Sequence, residues 1–279
     1  MVRIITDTTS GLPAAIAQRY NIPVIPQVIN FGNESYLEGV DMDNAAFMQR
    51  LRTSTELPKT AAPPLELFAR EFEKIIPTGE TILCIHPSAE VSGTVRSATV
   101  AAQDFPDADI RIIDTRTIGS PLATLVQLAA EWADSGVDAD TIEARINQMV
   151  PNSVIYFLVS TLEYLAKGGR IGGAAALLGS MLQVKPILIF HHGRVDQFEK
   201  ERTYRRALTR LKELVYTQAP RDGNAHLSVM HAAAPDLGKE LADDLCQEFN
   251  LSSIPILDVP PAIVTHGGPG ILAVAFFRP

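Results

Sequence analysis

An α/β fold in two parts is what this sequence predicts, and three observations carry the prediction. Over the first 150 residues, short β-branched apolar runs alternate with segments of helical periodicity, the pattern of βαβ crossovers and a mostly parallel sheet covered by helices. After Val150-Pro-Asn-Ser153 the texture changes to hairpin-like segments, which implies antiparallel pairing. At 279 residues the chain can form two domains of about 150 residues, each burying its own core. The expected division is 1–150 and 151–279, a three-layer α/β/α domain followed by an α/β domain with a mixed sheet.

In chain order, Val2–Thr6 reads as a strand, Asp7–Gly11 as a turn and Leu12–Tyr20 as a helix with Pro13 near its first turn. Pro23–Ile29, Thr81–Ile85 and Ile110–Ile113 are further strands. Asn44–Arg52, Leu65–Ile76, Ser92–Phe105 and Leu122–Ser135 carry helical spacing. In the second part Val154–Val159 is a strand, and Thr161–Lys167 and Ala174–Gln183 are short helices around a glycine-rich turn. Pro186–Phe190 and Arg194–Phe198 flank a His191-His-Gly193 turn. Tyr204–Thr217 and Asp236–Glu248 are amphipathic helices around the strand His226–His231, and Ile254–Val259 and Ile271–Phe277 close the chain as strands. Pro260–Gly270 reads as loop.

Composition narrows the function. With 24 Lys plus Arg against 32 Asp plus Glu, the net charge is -8 and no basic run occurs, which removes the footing for phosphate-backbone binding and sets nucleic acid aside. Cys84 and Cys246 form no CxxC or ligand-like spacing, so neither a disulfide framework nor a metal site is expected. The start Met-Val-Arg-Ile-Ile-Thr-Asp lacks the parts of a secretory signal, and the uncharged stretch Val259–Phe277 is broken by glycines and prolines. A cytoplasmic protein with at most transient membrane contact is expected.

Four segments carry candidate chemistry. Ser92-Gly93-Thr94 opens a helix after a strand, where a capping hydroxyl and free N–H groups suit a carboxylate or phosphate, although a serine cap is also ordinary helix chemistry. Thr60 lies in the proline-bounded loop Leu57–Pro64, which read alone is a connector. Arg170 follows a helix stop at Gly168 and could fork onto an anion or stand in solvent. His266, in Thr265-His-Gly-Gly-Pro-Gly270, could donate to an anion while titrating near neutrality, or be structural. Asp7, Asp41 and Asp114 could serve as magnesium ligands or bases, or as turn residues. No P-loop, serine elbow, HExxH or EF-hand signature is present.

Taken together, Thr6-Asp-Thr-Thr-Ser-Gly-Leu12, Pro58-Lys-Thr60, Ser92-Gly-Thr94, Thr161-Leu-Glu-Tyr-Leu-Ala-Lys-Gly-Gly-Arg-Ile171, Lys185-Pro-Ile-Leu188 and His266-Gly-Gly-Pro-Gly270 resemble the DegV family, in an order and spacing that cover nearly the whole chain. The resemblance implies a two-domain DegV-like fold that holds a long-chain fatty acid in a tunnel between the domains. It implies a carrier without chemistry of its own, which presents the acid to the catalytic subunit of a fatty acid kinase. ATP and Mg²⁺ would act on that kinase to make an acyl phosphate for phospholipid synthesis, and this chain would need no cofactor.

Carried over by position, Thr60, Ser92 and His266 would hold the carboxylate, with Arg170, Gly93 and Thr94 supporting the polar end. Burial of an acyl chain at about 0.8 kcal/mol per CH₂ would supply affinity on the order of 10 kcal/mol before ordering costs, leaving orientation to the polar groups. Ala61-Ala-Pro-Pro64 departs from the family's usual Ser-Gln-Pro-Ser, Ile118-Gly-Ser-Pro121 departs from its glycine pattern, and Gly172-Gly173 lacks a basic residue found in some relatives. Partner docking would then rest on Arg202, Arg205 and Arg206, which otherwise form one exposed helix face. Two other readings stay open: a stand-alone small-molecule kinase-like enzyme using His266 or Asp7 directly, and a lipid sensor with no kinase partner.

Overall fold

A computed structural model describes residues 1–179 and 183–279. The chain divides into one unit spanning Met1–Pro151 and a second spanning Asn152–Pro279.

The first unit runs β1 (Val2–Asp7), α1 (Ala14–Arg19), β2 (Val24–Ile25), β3 (Val28–Phe31), β4 (Glu34–Leu37), α2 (Asn44–Thr53), β5 (Lys59–Ala61), α3 (Leu65–Ile75), β6 (Thr81–His86), α4 (Thr94–Ala102), β7 (Ile110–Asp114), α5 (Ser120–Asp134) and α6 (Ala139–Met149). Strands β2-β1-β6-β7, in that order, form a fully parallel sheet. Because side chains alternate across a strand, Ile5, Ile82 and Cys84 face one way and pack with Phe68 and Phe72 of α3 and Ala98 and Ala101 of α4. Helices α5 and α6 lie against β1 and β6. Burial pushes the Cys84 thiol far up, so it acts as an apolar core residue.

Parts of this unit differ from the sequence expectation. Pro23–Ile29 is not one strand: Pro26 separates β2, which joins the parallel sheet, from β3, which joins an antiparallel sheet of order β4-β3-β5. That second sheet begins as a hairpin at Gly32-Asn33, where Phe31 pairs with Glu34 and Gly32 has φ 58°. Helix α6 was not expected. Its start is marked by Asp138, whose side chain accepts from Thr141 N.

The second unit runs β8 (Ser153–Leu158), α7 (Glu163–Lys167), β9 (Lys185–His191), β10 (Arg194–Glu201), α8 (Tyr204–Gln218), β11 (Ser228–His231), α9 (Pro235–Phe249), β12 (Ile256–Asp258), α10 (Pro261–Gly267) and β13 (Leu272–Phe277). Its sheet has the order β10-β9-β8-β13-β11-β12 and is mixed, with only β11 and β12 parallel. Helices α8 and α9 bury Leu211, Leu214, Leu241 and Leu245 against Tyr156, Ile187, Val274 and Phe276 on one sheet face. Residues 172–177 form a 3₁₀ turn, and the expected helix Ala174–Gln183 lies partly outside the described residues.

Pro260–Gly270 is not a loop throughout. Pro261 occupies the first turn of α10, where its missing N–H leaves no bond unmade, and Gly268, at φ 80°, ends the helix. Among the described residues no helix is long and apolar enough to cross a membrane.

Candidate functional site

In the parallel sheet the strand order reverses at β1 and β6, because the chain leaves β1 toward β2 and later adds β6 on the opposite edge. A crevice at the carboxyl ends of the strands on either side of such a switch is where open α/β sheets bind ligands. Asp7 ends β1 and His86 ends β6, and both side chains are wholly buried. His86 Nδ1 lies 2.8 Å from Asp7 Oδ2, and the ring meets Phe68 edge-on. The other carboxylate oxygen, Oδ1, accepts from Thr9 N at 3.0 Å, Thr9 Oγ1 at 2.6 Å and Gln27 Nε2 at 3.0 Å. Gln27 Nε2 also donates to Thr94 Oγ1 at 2.7 Å, and Thr94 Oγ1 stands 2.8 Å from Ser92 Oγ. A continuous polar chain therefore runs from the sheet end to the start of α4.

Asp7 spends its oxygens on this network and on capping the turn Thr8–Ser10, and the other two aspartates also serve turns. Asp41 accepts from Leu37 N at 2.8 Å and Asp114 from Arg116 N at 2.9 Å. Among the described residues no group of three His, Cys, Asp or Glu is placed to hold a metal ion.

Ser92 is not the helix cap. Its N–H closes a turn onto Ser88 O at 3.1 Å, so the loop winds once before the helix and Gly93 becomes the cap. Ser92 Oγ nonetheless accepts from Thr94 N at 3.3 Å. Thr60 is not in a loop either: it is the centre of β5, opposite Ile29, and the flanking Pro58, Pro63 and Pro64 keep that strand short. The residues after Thr60 reach the start of α4, because a Cβ on Gly93 would meet Ala62 Cβ at 3.2 Å. Thr60 and the Ser92-Gly93-Thr94 turn thus border one region of the first unit.

In the second unit α7 stops at Gly168, and Arg170 folds back so that Nη1 donates to Gly168 O at 2.7 Å. His266, in the last turn of α10, lies over the same glycine, whose added Cβ would sit 2.3 Å from His266 Nδ1. Gly268 lies against the ring of Tyr164, where a Cβ would come 2.6 Å from Cδ2. The segments around Tyr164 and His266, just over a hundred residues apart, are therefore packed together by glycines that have no side chain to spare. Burial, with the Arg170 charge adding to it, pushes the His266 imidazole down to about 4. The expectation of titration near neutrality is thereby corrected: at pH 7 this ring is neutral and offers one N–H and one lone pair.

Arg202, Arg205 and Arg206 are exposed where β10 leads into α8. Arg205 and Arg206 line a shallow surface hollow with Glu201, Thr203 and Glu213. The adjacent Arg210 is engaged by Glu199 at 2.7 Å and Glu213 at 3.0 Å.

A model of the DegV family, described as a family of uncharacterised proteins, matches residues 1–278. The chain belongs to the DegV family. A DegV domain-containing protein of Streptomyces coelicolor is 37% identical over 277 residues, covering 98% of this chain and 97% of that relative. One from Clostridium perfringens is 34% identical, covering 99% of each. Among solved structures, a DegV family protein from Thermus thermophilus described by its fatty acid binding superposes with a TM-score of 0.91 at 27% identity, covering 100% of this chain and 99% of that one. The fatty acid binding DegV family protein from Streptococcus agalactiae gives a TM-score of 0.91 at 28% identity, with the same coverage. The two-unit α/β architecture is that of these DegV structures.

Gln27 and His86 had been given no role by the sequence. The signal for His86 is faint: a polar residue closing an apolar run, like Asp7 at the end of β1. Gln27 carries none, since its partners lie 20 and 67 residues away.

Proposed function

We propose that this DegV protein binds a long-chain fatty acid, with Thr60, Ser92 and His266 meeting the carboxylate and Arg170, Gly93 and Thr94 supporting the polar end, the acyl chain lying in the tunnel that the family resemblance implies. The observation that carries the reading is the full-length likeness to structures described as fatty acid binding, joined to hydroxyl and imidazole groups at the positions that the family motifs mark.

The chemistry is consistent. A neutral imidazole and hydroxyl donors orient a carboxylate without a buried ion pair, so the same groups tolerate conversion of the acid to a mixed anhydride. We propose further that the protein is a carrier: it presents the carboxylate to a separate kinase that uses ATP and Mg²⁺ to form the acyl phosphate, and docks through the arginine face at Arg202, Arg205 and Arg206. Adding purified protein and fatty acid to the cognate kinase should give acyl phosphate only when both proteins are present. Turnover of a small hydroxy or keto compound by the isolated chain would support the stand-alone small-molecule enzyme instead, and binding without any stimulation of a kinase would support a lipid sensor.

A further inference from the structure

The side-chain amide of Gln27 donates both ways, to Asp7 and to Thr94, and the second branch leads to Ser92. Asp7 Oδ1 takes three donors, so the group of Gln27 that faces it at 3.0 Å must be the amide nitrogen, since the amide oxygen would meet another acceptor. That nitrogen has two hydrogens, and the second goes to Thr94 Oγ1 at 2.7 Å. Gln27 is 3% exposed and its own N–H is held by Thr8 Oγ1 at 3.1 Å, so the amide is locked in place. Thr94 Oγ1 accepts that bond and lies 2.8 Å from Ser92 Oγ, a contact in which either hydroxyl can donate; with Thr94 as the donor its proton goes to Ser92. Ser92 Oγ receives that proton and the Thr94 N–H at 3.3 Å, which occupies both lone pairs. In that arrangement its own proton points away from Thr94.

We infer that Asp7, Gln27 and Thr94 are positioning residues that form a one-way relay, fixing Ser92 as a hydrogen-bond donor and so selecting a ligand head group that only accepts, a carboxylate, over one that also donates. The inference rests on the fatty-acid reading and deepens it. It gives Asp7 a reason to be buried at the end of β1 that capping a three-residue turn does not require, and His86 holds the remaining carboxylate oxygen in place.

The test uses the full-length, delipidated protein with palmitate and 1-hexadecanol as probes, and reads the ratio of their dissociation constants. Wild type prefers the acid. Thr94→Val removes the proton that reaches Ser92 and should narrow that ratio by about 5- to 10-fold, the scale of one ordinary hydrogen bond. Thr94→Ser should restore it. The carboxyl resonance of bound [1-¹³C]palmitate should move in Thr94→Val and return in Thr94→Ser, a readout that general loosening of the fold does not reproduce. Gln27→Met, which removes both donors, should narrow the ratio in the same sense and carries the test if Thr94→Val does not fold. A wild-type ratio and resonance in Thr94→Val, or failure of Thr94→Ser to restore them, overturns the relay alone. Wild-type protein that takes up no palmitate overturns the fatty-acid reading itself, and the relay with it.

Discussion

The imidazole of His266 rests on the α-carbon of Gly168, and a methyl group at that carbon would lie 2.3 Å from Nδ1 and 2.9 Å from the carbonyl oxygen of Tyr164. Neither neighbour can yield easily, since one is the proposed ligand group and the other is helix backbone. Gly168→Ala should therefore push the ring aside, lowering unfolding free energy by about 1–3 kcal/mol and weakening fatty acid binding. Gly179→Ala is the comparison, because nothing lies within 4 Å of the added carbon. Denaturant melts and a binding titration on both variants check this; equal behaviour of the two would mean the ring is free to move.

The depressed His266 titration makes a second prediction. Its folded value is about 4, below the ordinary 6.5, so between those values the unfolded chain binds a proton that the folded chain does not. Its contribution to stability is complete above pH 6.5 and is lost as pH falls toward 4, on the order of 3 kcal/mol in all. His266→Gln should flatten stability against pH in that window, and NMR titration of the ring in Arg170→Met should show its midpoint rising.

A bound carboxylate should act on the same ring in the opposite sense. Placing a negative charge beside it favours the imidazolium, so the His266 midpoint should rise when palmitate is added and stay put with hexadecanol. NMR titration with each probe reads this directly.

Ser92→Ala and His266→Ala should separate binding from folding. Ser92 is partly exposed, outside the helix, and its loss removes one donor, so affinity should drop about 10-fold while unfolding free energy changes by less than about 1 kcal/mol. His266→Ala should lose affinity similarly, with a moderate stability cost from the vacated space. Parallel losses of melting temperature and ligand in Ser92→Ala would contradict its assignment.

The arginine face predicts a split between binding and transfer. Replacing Arg202, Arg205 and Arg206 by Glu should leave fatty acid affinity near wild type and cut kinase-dependent acyl phosphate formation by about 10-fold or more, with a strong salt dependence in the unmodified protein. Steady-state assays at two ionic strengths would show it.

Much of the fold can be read from local chemistry. β-Branched runs at Val2–Asp7 and Thr81–His86 alternate with helical spacing, and the four-stranded parallel and six-stranded mixed sheets carry the expected pairing, whereas the small antiparallel sheet was not foreseen. Where the reading failed, non-local pairing decided. Thr60 belongs to a strand because Ile29 is opposite it, and no spacing within Leu57–Pro64 announces that partner. Pro260–Gly270 is rich in residues that break helices, yet Pro261 stands at the one helical position that tolerates it. The expected site residues came from motif resemblance, whereas the Asp7–Gln27–Thr94 chain was invisible, because it joins three segments that meet only after folding.

The most direct measurement is native mass spectrometry of the gently purified protein, with and without added fatty acid. The account predicts a bound species heavier by one long-chain fatty acid, removed by delipidation and regained on adding palmitate. A protein that carries no acyl chain and takes up none would contradict it.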